Sequence, residues 1–370
     1  MEKMAQGGEA LARLDDGRIC FVAGALAGEI AEVSIVQDKK DYAKGFARRI
    51  LERSAFRVES RCPLYEKCGG CSLQHASFEC QLSMYRASVE ELFRRFAKTE
   101  LPVGWKIHAG KSYGYRNRAR LVRIENGWGF RESKSHRLIP VSRCAVLSDA
   151  LNEAIAQNAF PKVAELSVFD NGNGKISYFH RGMALSEFKK YATNTVALCG
   201  HSLSMDAACF FQSNLGLLPE LVKTVSDSAG SGNYLIDLYS GVGFFASLLQ
   251  EKFERIVTVE REPNALYHAK RNVSKACNVS APAEEWLAQN DASGADILIV
   301  DPPRTGLLPS ALEAVAKAHP KKLLYVSCDP ATLARDFQRL SLHGYKIQKA
   351  EGFAFYPQTP HFEMFLELGC

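Results

Sequence analysis

The stretch Lys322 to Asp336, KLLYVSCDPATLARD, predicts a strand that runs directly into a helix. Its four apolar residues, Leu323 to Val326, are typical of a buried parallel strand, and Pro330 suits the first turn of the following helix. Cys328 lies between the two, where open α/β sheets bind ligands and where a helix amino terminus stabilises a thiolate. Cys328 is therefore a candidate nucleophile, although a small cysteine that ends an apolar strand is also a common core residue.

Similar strands alternate with helices through the carboxyl-terminal half of the chain. This alternation predicts a doubly wound parallel sheet, an α/β fold that binds its ligands at the carboxyl ends of the strands. Before it, Leu215 to Val225 predicts a helix and residues 226–232 a surface turn. The predicted strands are Tyr234 to Leu238, Ile256 to Glu260, Ile297 to Val300 and Leu323 to Val326.

A glycine-containing turn follows the first of these strands. Gly241 and Gly243 allow the chain to turn tightly beside a ligand, and Glu260 ends the next strand, where a carboxylate accepts hydrogen bonds from ribose hydroxyls. The turn lacks the third glycine of a dinucleotide fingerprint, so it favours an adenosyl ligand without pyrophosphate. S-adenosylmethionine is the usual ligand of this kind.

Two further carboxyl groups occur near predicted strand ends. Asp301 begins the rigid loop DPPRTG (301–306), which is either a site loop or an ordinary strand-ending turn. Glu363 interrupts the apolar strand Phe362 to Leu368. If Glu363 is buried, its raised pKa would let it act as a base, and if it lies on a sheet edge it would simply face solvent.

A cluster of cysteines, CPLYEKCGGC (62–71), indicates a metal centre. Zinc sites typically show paired C-x2-C units, whereas iron–sulfur clusters accept three clustered cysteines and a distant one, so the spacing favours iron–sulfur. The fourth ligand is Cys80 or Cys144. Cys144 is the better candidate because Cys80 falls within the predicted helix Ser77 to Arg95.

The segment from Trp105 to Arg143 is strongly basic, with a formal charge of +8 within a chain of net +5. Aromatic residues are interspersed with the cations, as expected for a surface that binds phosphates and unstacked bases. A solvated charged face is the alternative. The cations are Lys106, Lys111, Arg116, Arg118, Arg120, Arg123, Arg131, Lys134, Arg137 and Arg143, and the acids are Glu125 and Glu132.

Changes in composition and the positions of turn-forming residues divide the chain into three predicted parts. Short β-like runs separated by glycines predict an amino-terminal antiparallel barrel of the OB type in residues 1–56. An α+β RNA-binding region with the metal loop follows at 57–210, including a hairpin around Asn171 to Gly174, and the α/β domain spans 211–370. Eleven cysteines without a secretory signal, and no long apolar run, predict a cytoplasmic protein without a membrane span.

The motifs taken together resemble the RNA uracil-C5 methyltransferases, which make 5-methyluridine in ribosomal and transfer RNA. The resemblance covers nearly the whole chain. It includes a barrel like the TRAM domain of that family, CPxYxxCGGC, GYRNRARL (114–121), FFQSN (210–214), DLYSGVGFF (237–245), DPPRTG, SCDP and PQTPHFE (357–363). It implies a Rossmann-like methyltransferase domain and a monomeric enzyme that acts on RNA, ribosomal RNA more than transfer RNA.

The resemblance also implies roles for individual residues. Cys328 matches the nucleophile that adds to uracil C6, and Glu363 matches the base that removes the C5 proton. The segment Ser280 to Trp286 departs from the adenine-side motif of the family, which leaves Glu284 as the candidate there. The implied contacts to S-adenosylmethionine are Gln212, Tyr239, Glu260 and Asp301, and the implied ligands of a [4Fe-4S] cluster are Cys62, Cys68, Cys71 and Cys144.

Two alternative functions are compatible with parts of this pattern. A methyltransferase of exocyclic amines would use the DPP motif without a thiol. A non-catalytic iron–sulfur RNA-binding protein would not bind S-adenosylmethionine.

Overall fold

The computed structural model describes residues 1–133 and 135–370. Lys134, one of the cations of the basic segment, lies outside the described residues. None of the described helices is long and apolar enough to cross a membrane.

The amino-terminal part is a five-stranded sheet in the order β1-β2-β3-β5-β4, built around a small core that includes Cys20 and Val22. The sequence predicts an antiparallel barrel, but β3 and β5 run parallel. After β3 the chain crosses to the edge of the sheet as β4, and its hairpin returns β5 between β4 and β3. The strands are β1 Lys3–Met4, β2 Ala10–Arg13, β3 Ile19–Ala23, β4 Ile30–Asp38 and β5 Tyr42–Glu52.

The helix α1 (Phe78–Leu92) follows the cysteine cluster. The Ser77 side chain caps it by accepting a hydrogen bond from the Cys80 amide at 3.2 Å. A π-helical turn, Phe93–Ala97, extends it, and the strand β6 (Lys106–His108) comes next.

The central part is an antiparallel sheet in the order β11-β10-β7-β8-β9. The predicted hairpin at residues 171–174 is confirmed, because it joins β10 to β11. A two-stranded hairpin, β12 and β13, leads out of this part. The elements are β7 Arg118–Ile124, β8 Gly127–Arg131, β9 Leu138–Pro140, α2 Asp149–Ala156, β10 Glu165–Asp170, β11 Ile176–Phe179, the short α3 Leu185–Glu187 with a π-helical turn Phe188–Ala192, β12 Thr193–Leu198 and β13 His201–Asp206.

The carboxyl-terminal part is an eight-stranded sheet in the order β16-β15-β14-β17-β18-β20-β19-β6. Alternate residues of its strands enter cores on opposite faces, Ile236 and Leu323 on one and Leu235 and Leu324 on the other. The elements are α4 Leu218–Ala229, β14 Gly232–Leu238, α5 Phe244–Leu249, a 3-10 turn Gln250–Lys252, β15 Phe253–Glu260, α6 Pro263–Asn272, β16 Cys277–Ser280, α7 Ala283–Gln289, β17 Ile297–Val300, α8 Pro309–Ala318, β18 Lys322–Ser327, α9 Pro330–Ser341, β19 Lys346–Phe353 and β20 Glu363–Gly369.

Three details of this part differ from the sequence prediction. The sheet is mixed rather than wholly parallel, because β20 runs antiparallel to both β18 and β19. The helix predicted at 215–225 is α4, which runs from Leu218 to Ala229 and so includes the first four residues of the predicted turn, because Ser228 and Ala229 lie on its buried face. The last strand begins at Glu363 rather than at Phe362.

Residues 78–108 pack with the carboxyl-terminal sheet, although the sequence assigns them to the central region. Val89, Phe93 and Trp105 belong to the same apolar core as Leu323. The strand β6 pairs in parallel with β19 and becomes the last strand of the sheet. Chain order alone does not reveal which surface covers an amphipathic helix, and this explains the difference.

Candidate active site

A cavity of about 1050 Å³ lies at the carboxyl ends of β14, β15, β17 and β18. Small-molecule pockets commonly measure about 300–1,000 Å³, so this one has room for an adenosyl cofactor and part of a nucleotide. It brings together residues from eight separate segments of the chain. All the non-metal site residues predicted from the sequence line it: Gln212, Tyr239, Glu260, Asp301, Cys328 and Glu363, together with Glu284.

The glycine-containing turn forms one wall of the cavity. Tyr239, Gly241 and Gly243 all adopt positive φ angles, of 60°, 54° and 76°. A Cβ atom on Gly243 would lie 2.8 Å from Val273, so a glycine is required there for the turn to pack against the end of α6.

Glu260 is held in place by the backbone around it. One carboxylate oxygen accepts a hydrogen bond from the Gly241 amide at 2.8 Å, and the other accepts one from the Glu262 amide at 2.8 Å. The carboxylate therefore has a fixed orientation at the end of β15, and its remaining lone pairs are available to a ligand in the cavity.

The loop that carries Asp301 is fixed against α9. The Leu307 amide donates to Asp336 at 2.8 Å, and the Arg335 guanidinium donates to the Thr305 carbonyl at 2.8 Å. Gly306 approaches so closely that an added Cβ atom would lie 2.5 Å from the Asp336 carboxylate. These contacts fix the far end of the loop that begins at Asp301. Burial raises the pKa of Asp301 to about 7.

Cys328 lies between β18 and α9 at the cavity wall. The surroundings of Cys328 oppose the thiolate that the helix amino terminus is expected to stabilise. Burial, followed by the negative charges of Glu363 and Asp301, raises the thiol pKa to about 12, although Arg304 opposes this effect. The helix terminus does not compensate, because the Asp329 carboxylate accepts its first amide hydrogen bonds, from Ala331 and Thr332.

Glu363 is the most unusual polar residue of the site. Its side chain is only 1% exposed, and neither carboxyl oxygen has a hydrogen-bond partner within residues 1–133 and 135–370. Burial and the charge of Asp301 raise its pKa well above the usual range, with Arg304 acting in the opposite direction. A buried and unpaired carboxyl group that lines a cavity is available to a ligand or a reacting atom.

Two cavity residues, Tyr356 and Arg304, have no role assigned from the sequence. The Tyr356 hydroxyl is 3.5 Å from the Gln212 side-chain oxygen, and its pKa is raised by burial and then by Glu363 and Cys328. Arg304 is the cation of the DPPRTG loop and contributes a positive charge near Cys328 and Glu363. The sequence feature that indicates Arg304 is its position in a loop that directly follows the end of a strand.

The sequence also gives no sign of a buried hydrogen-bonded group next to the cavity, formed by His268, Asp206 and Ser204. His268 bonds Asp206 at 2.9 Å through Nε2 and Ser204 at 2.8 Å through Nδ1. Asp206 also accepts from the amides of Ala208 and Cys209. Both ring nitrogens of His268 and the Asp206 carboxylate are therefore paired within the protein. The bonds from Ala208 and Cys209 fix the start of the segment that leads to Gln212.

Cys144, rather than Cys80, faces the cysteine cluster. Burial raises the pKa of Cys144, and the neighbouring thiols of Cys62 and Cys68 add to this. Burial and the nearby charge of Cys144 similarly raise the pKa of Cys71 to about 12. The charges near Cys80 are those of glutamates and not of the cluster.

The spacing of these four thiols tests which metal centre they suit. In a tetrahedral zinc site with bonds of about 2.3 Å, the sulfur atoms would lie about 3.8 Å apart. Within the described chain, no three of the four sulfur atoms lie within 4.8 Å of one another. Four cysteine thiols are a donor set that a [4Fe-4S] cluster accepts, so the residues present fit such a cluster.

Comparisons with known proteins identify the family. A family model described as tRNA (Uracil-5-)-methyltransferase matches residues 290–369, and a TRAM domain model matches residues 2–47. An uncharacterized RNA methyltransferase of Treponema denticola is 30% identical over 396 residues, which cover 98% of this chain and 96% of the relative. The 23S rRNA (uracil(1939)-C(5))-methyltransferase RlmD of Shewanella sediminis is 30% identical over 403 residues, which cover 94% of this chain and 90% of the relative. The chain belongs to the RNA (uracil-5-)-methyltransferase family.

Family membership makes the chain an S-adenosylmethionine-dependent RNA methyltransferase with an amino-terminal TRAM domain. The fold agrees with that of a solved structure, the Pyrococcus abyssi tRNA (uracil-54, C5)-methyltransferase in complex with S-adenosyl-L-homocysteine. The TM-score is 0.77 at 22% sequence identity, and the match covers 100% of this chain and 99% of the other.

Proposed function

We propose that the chain transfers a methyl group from S-adenosylmethionine to C5 of a specific uridine in ribosomal RNA, through a covalent bond between Cys328 and C6. The observation that carries this proposal is the buried, unpaired carboxyl group of Glu363 in a cavity that it shares with Cys328. Such a carboxyl group does not stabilise the fold, and a role in the reaction accounts for its presence in the cavity.

In this proposal Gln212, Tyr239, Glu260 and Asp301 contact the cofactor. The fixed carboxylate of Glu260 accepts hydrogen bonds from ribose hydroxyls. The acidic lining of the cavity suits a sulfonium cation, since Asp301, Glu260 and Glu284 all border it. S-adenosylmethionine supplies the methyl group as an electrophilic carbon.

Cys328 begins the reaction. Uracil C5 is a weak nucleophile, and addition of the sulfur to C6 moves an electron pair of the C5–C6 double bond onto C5 and the adjacent carbonyl. The thiol must lose its proton as the S–C6 bond forms. Asp301 is the proposed acceptor, because a pKa of about 7 leaves a substantial fraction of it ionised at neutral pH.

Glu363 completes the reaction. The electron pair at C5 takes the methyl group of S-adenosylmethionine, and S-adenosylhomocysteine would be the leaving group. Glu363 then removes the C5 proton, the C5–C6 double bond forms again and the bond from C6 to the Cys328 sulfur breaks. The thiolate then recovers its proton from Asp301. Glu363 must be ionised to act as a base, and a cation bound in the cavity favours its ionisation.

The proposed target is a uridine that is single-stranded or flipped out of a helix, since a stacked base cannot enter the cavity. Ribosomal RNA is favoured because the RlmD relatives from two Shewanella species act on 23S rRNA by name.

The basic segment 105–143 would bind phosphates, and Cys62, Cys68, Cys71 and Cys144 would bind a [4Fe-4S] cluster that stabilises this region. We expect the protein to act as a monomer.

The test is to map 5-methyluridine in ribosomal and transfer RNA from cells with and without the gene. Loss of the modification at one ribosomal position, restored by the wild-type gene but not by a Cys328→Ala allele, is the expected result. Loss only in transfer RNA would overturn the choice of substrate. Loss of a methylated amine instead would overturn the chemistry.

A further inference from the structure

Gln358 lies at the centre of the loop that joins β19 to β20, and its backbone is hydrogen-bonded to the residues that follow the cysteine cluster. Its carbonyl oxygen accepts hydrogen bonds from the amides of Ser72 and Leu73, at 2.9 and 3.0 Å. These two residues directly follow Cys71. The loop before Glu363, residues 354–362, is therefore bonded to the cysteine loop, residues 62–73.

A second glutamine closes this junction. The Gln81 side-chain oxygen accepts from the Gln358 amide at 2.8 Å, and the Gln81 side-chain nitrogen donates to the Gln358 side-chain oxygen at 3.0 Å. The same nitrogen lies 3.2 Å from the Leu73 carbonyl and 3.0 Å from that of Ala76. Both glutamines are almost fully buried, so these bonds are protected from water.

The backbone of Gln358 has a φ angle of 70°, in the left-handed region that residues other than glycine seldom adopt. The surrounding bonds hold it there. Neighbouring residues add two more, from the Tyr115 hydroxyl to the Pro357 carbonyl at 2.9 Å and from the Tyr85 hydroxyl to the Thr359 carbonyl at 2.6 Å. A strained backbone conformation that so many contacts fix indicates that the position of Gln358 matters for the site.

The two ends of this segment reach the cavity. Tyr356 lines the cavity before Gln358, and Glu363 lines it after the loop. On the opposite side, the Gly69 amide donates to the Arg131 carbonyl at 3.2 Å, which attaches the cysteine loop to the central sheet. Gln358 and Gln81 thus connect the central RNA-binding region with the position of Glu363.

We infer that Gln358 and Gln81 are positioning residues that couple the cysteine loop to the 354–362 loop and so fix Glu363 in the cavity. The inference rests on the proposed function only for the role of Glu363 as a base. The coupling between the two loops is a property of the contacts and is tested without activity.

Amide hydrogen–deuterium exchange of the full-length protein, as purified, tests the coupling. Gln81→Met keeps the size of the side chain and removes its hydrogen bonds, and we expect both loops to exchange at least about tenfold faster. Gln157→Met, at the exposed end of α2, is the matched control and should alter neither loop. If Gln81→Met fails to fold, Gln358→Asn provides a milder test, because asparagine tolerates the left-handed conformation and its side chain is too short to accept from Gln81, while the bond from the backbone amide of residue 358 remains. Faster exchange of both loops in this variant is again the expected result.

A perturbation from the cysteine side makes the test decisive. Cys144→Ser does not touch the 354–362 loop, so faster exchange there as well as in the cysteine loop is the expected result. If only the cysteine loop exchanges faster, the two loops move independently and the inference is wrong.

Kinetics separate positioning from general stability. We expect Gln81→Met to lower kcat by about tenfold or more, as misplacement of a reacting group does, and to leave KM for S-adenosylmethionine nearly unchanged. A change confined to KM would overturn the link to Glu363. Absence of methylation by the wild type would refute the proposed function and leave the exchange test intact.

Discussion

Asp301 and Glu363 line the same cavity, and the charge of Asp301 adds to burial in raising the pKa of Glu363. Neither oxygen of Glu363 has a hydrogen-bond partner in the described part of the chain. The raised pKa favours the protonated form of Glu363, whereas the proposed reaction needs it ionised. Predictions about both residues follow from this relationship.

Replacement of Glu363 by glutamine should trap the reaction after methyl transfer. The amide cannot accept the C5 proton, so methylated RNA should stay bonded to Cys328 and turnover should fall by about 10²–10⁴-fold. Denaturing gel electrophoresis and mass spectrometry of the linked peptide detect this product. Glu254→Gln, on the exposed side of β15, is the control, and full turnover by Glu363→Gln would refute the assignment.

Replacement of Cys328 by alanine should abolish the covalent bond itself. RNA that carries 5-fluorouridine should trap the wild-type enzyme, because fluorine at C5 cannot leave as a proton does. Cys328→Ala should form no such adduct and should lose at least about 10³-fold in activity. The exposed Cys277→Ala should still form the adduct, and an adduct with Cys328→Ala would point to a different nucleophile.

Binding of the cofactor should depend on pH. The pKa of Asp301 is raised to about 7, so this carboxyl becomes negatively charged as the pH rises from 6 to 8. The affinity for S-adenosylmethionine, a sulfonium cation, should increase over this range by about tenfold, the effect of one pKa unit. S-adenosylhomocysteine has a neutral sulfur and should show a weaker dependence, as isothermal titration calorimetry can measure. Asp301→Asn should remove the difference, and equal slopes for the two ligands in the wild type would contradict the prediction.

The cysteine cluster should hold iron through Cys144 and not through Cys80. Protein purified without oxygen should contain about four iron and four sulfide ions per chain, as expected for a [4Fe-4S] cluster with four thiolate ligands. Cys144→Ser should lose most of this iron, whereas Cys80→Ser on α1 should retain it. Stoichiometric zinc in the wild type, measured by elemental analysis, would refute the iron–sulfur assignment.

The strand-end rule predicts much of the site from the sequence. Tyr239, Asp301 and Cys328 each follow a parallel strand, and the carboxyl ends of such strands meet at one edge of a sheet. The sequence does not reveal the electrostatic environment of Cys328, because its pKa depends on carboxyl groups that only the fold brings near. It likewise gives no sign that Gln358 bonds Gln81, since the two are far apart in the chain and lack any periodic pattern.

The pairing of β6 with β19 has a consequence for how this enzyme is built. The edge strand β6 of the methyltransferase sheet, and the helix α1 that covers one face, precede the antiparallel sheet β7 to β11 in the chain, and the rest of the methyltransferase sheet follows it. The segment between β6 and α4 is thus an insertion whose two ends are attached to a single sheet. A graft that starts at residue 211 would leave behind part of the catalytic unit, so exchange of RNA specificity between relatives should be attempted by replacing the insertion and not by recombining halves.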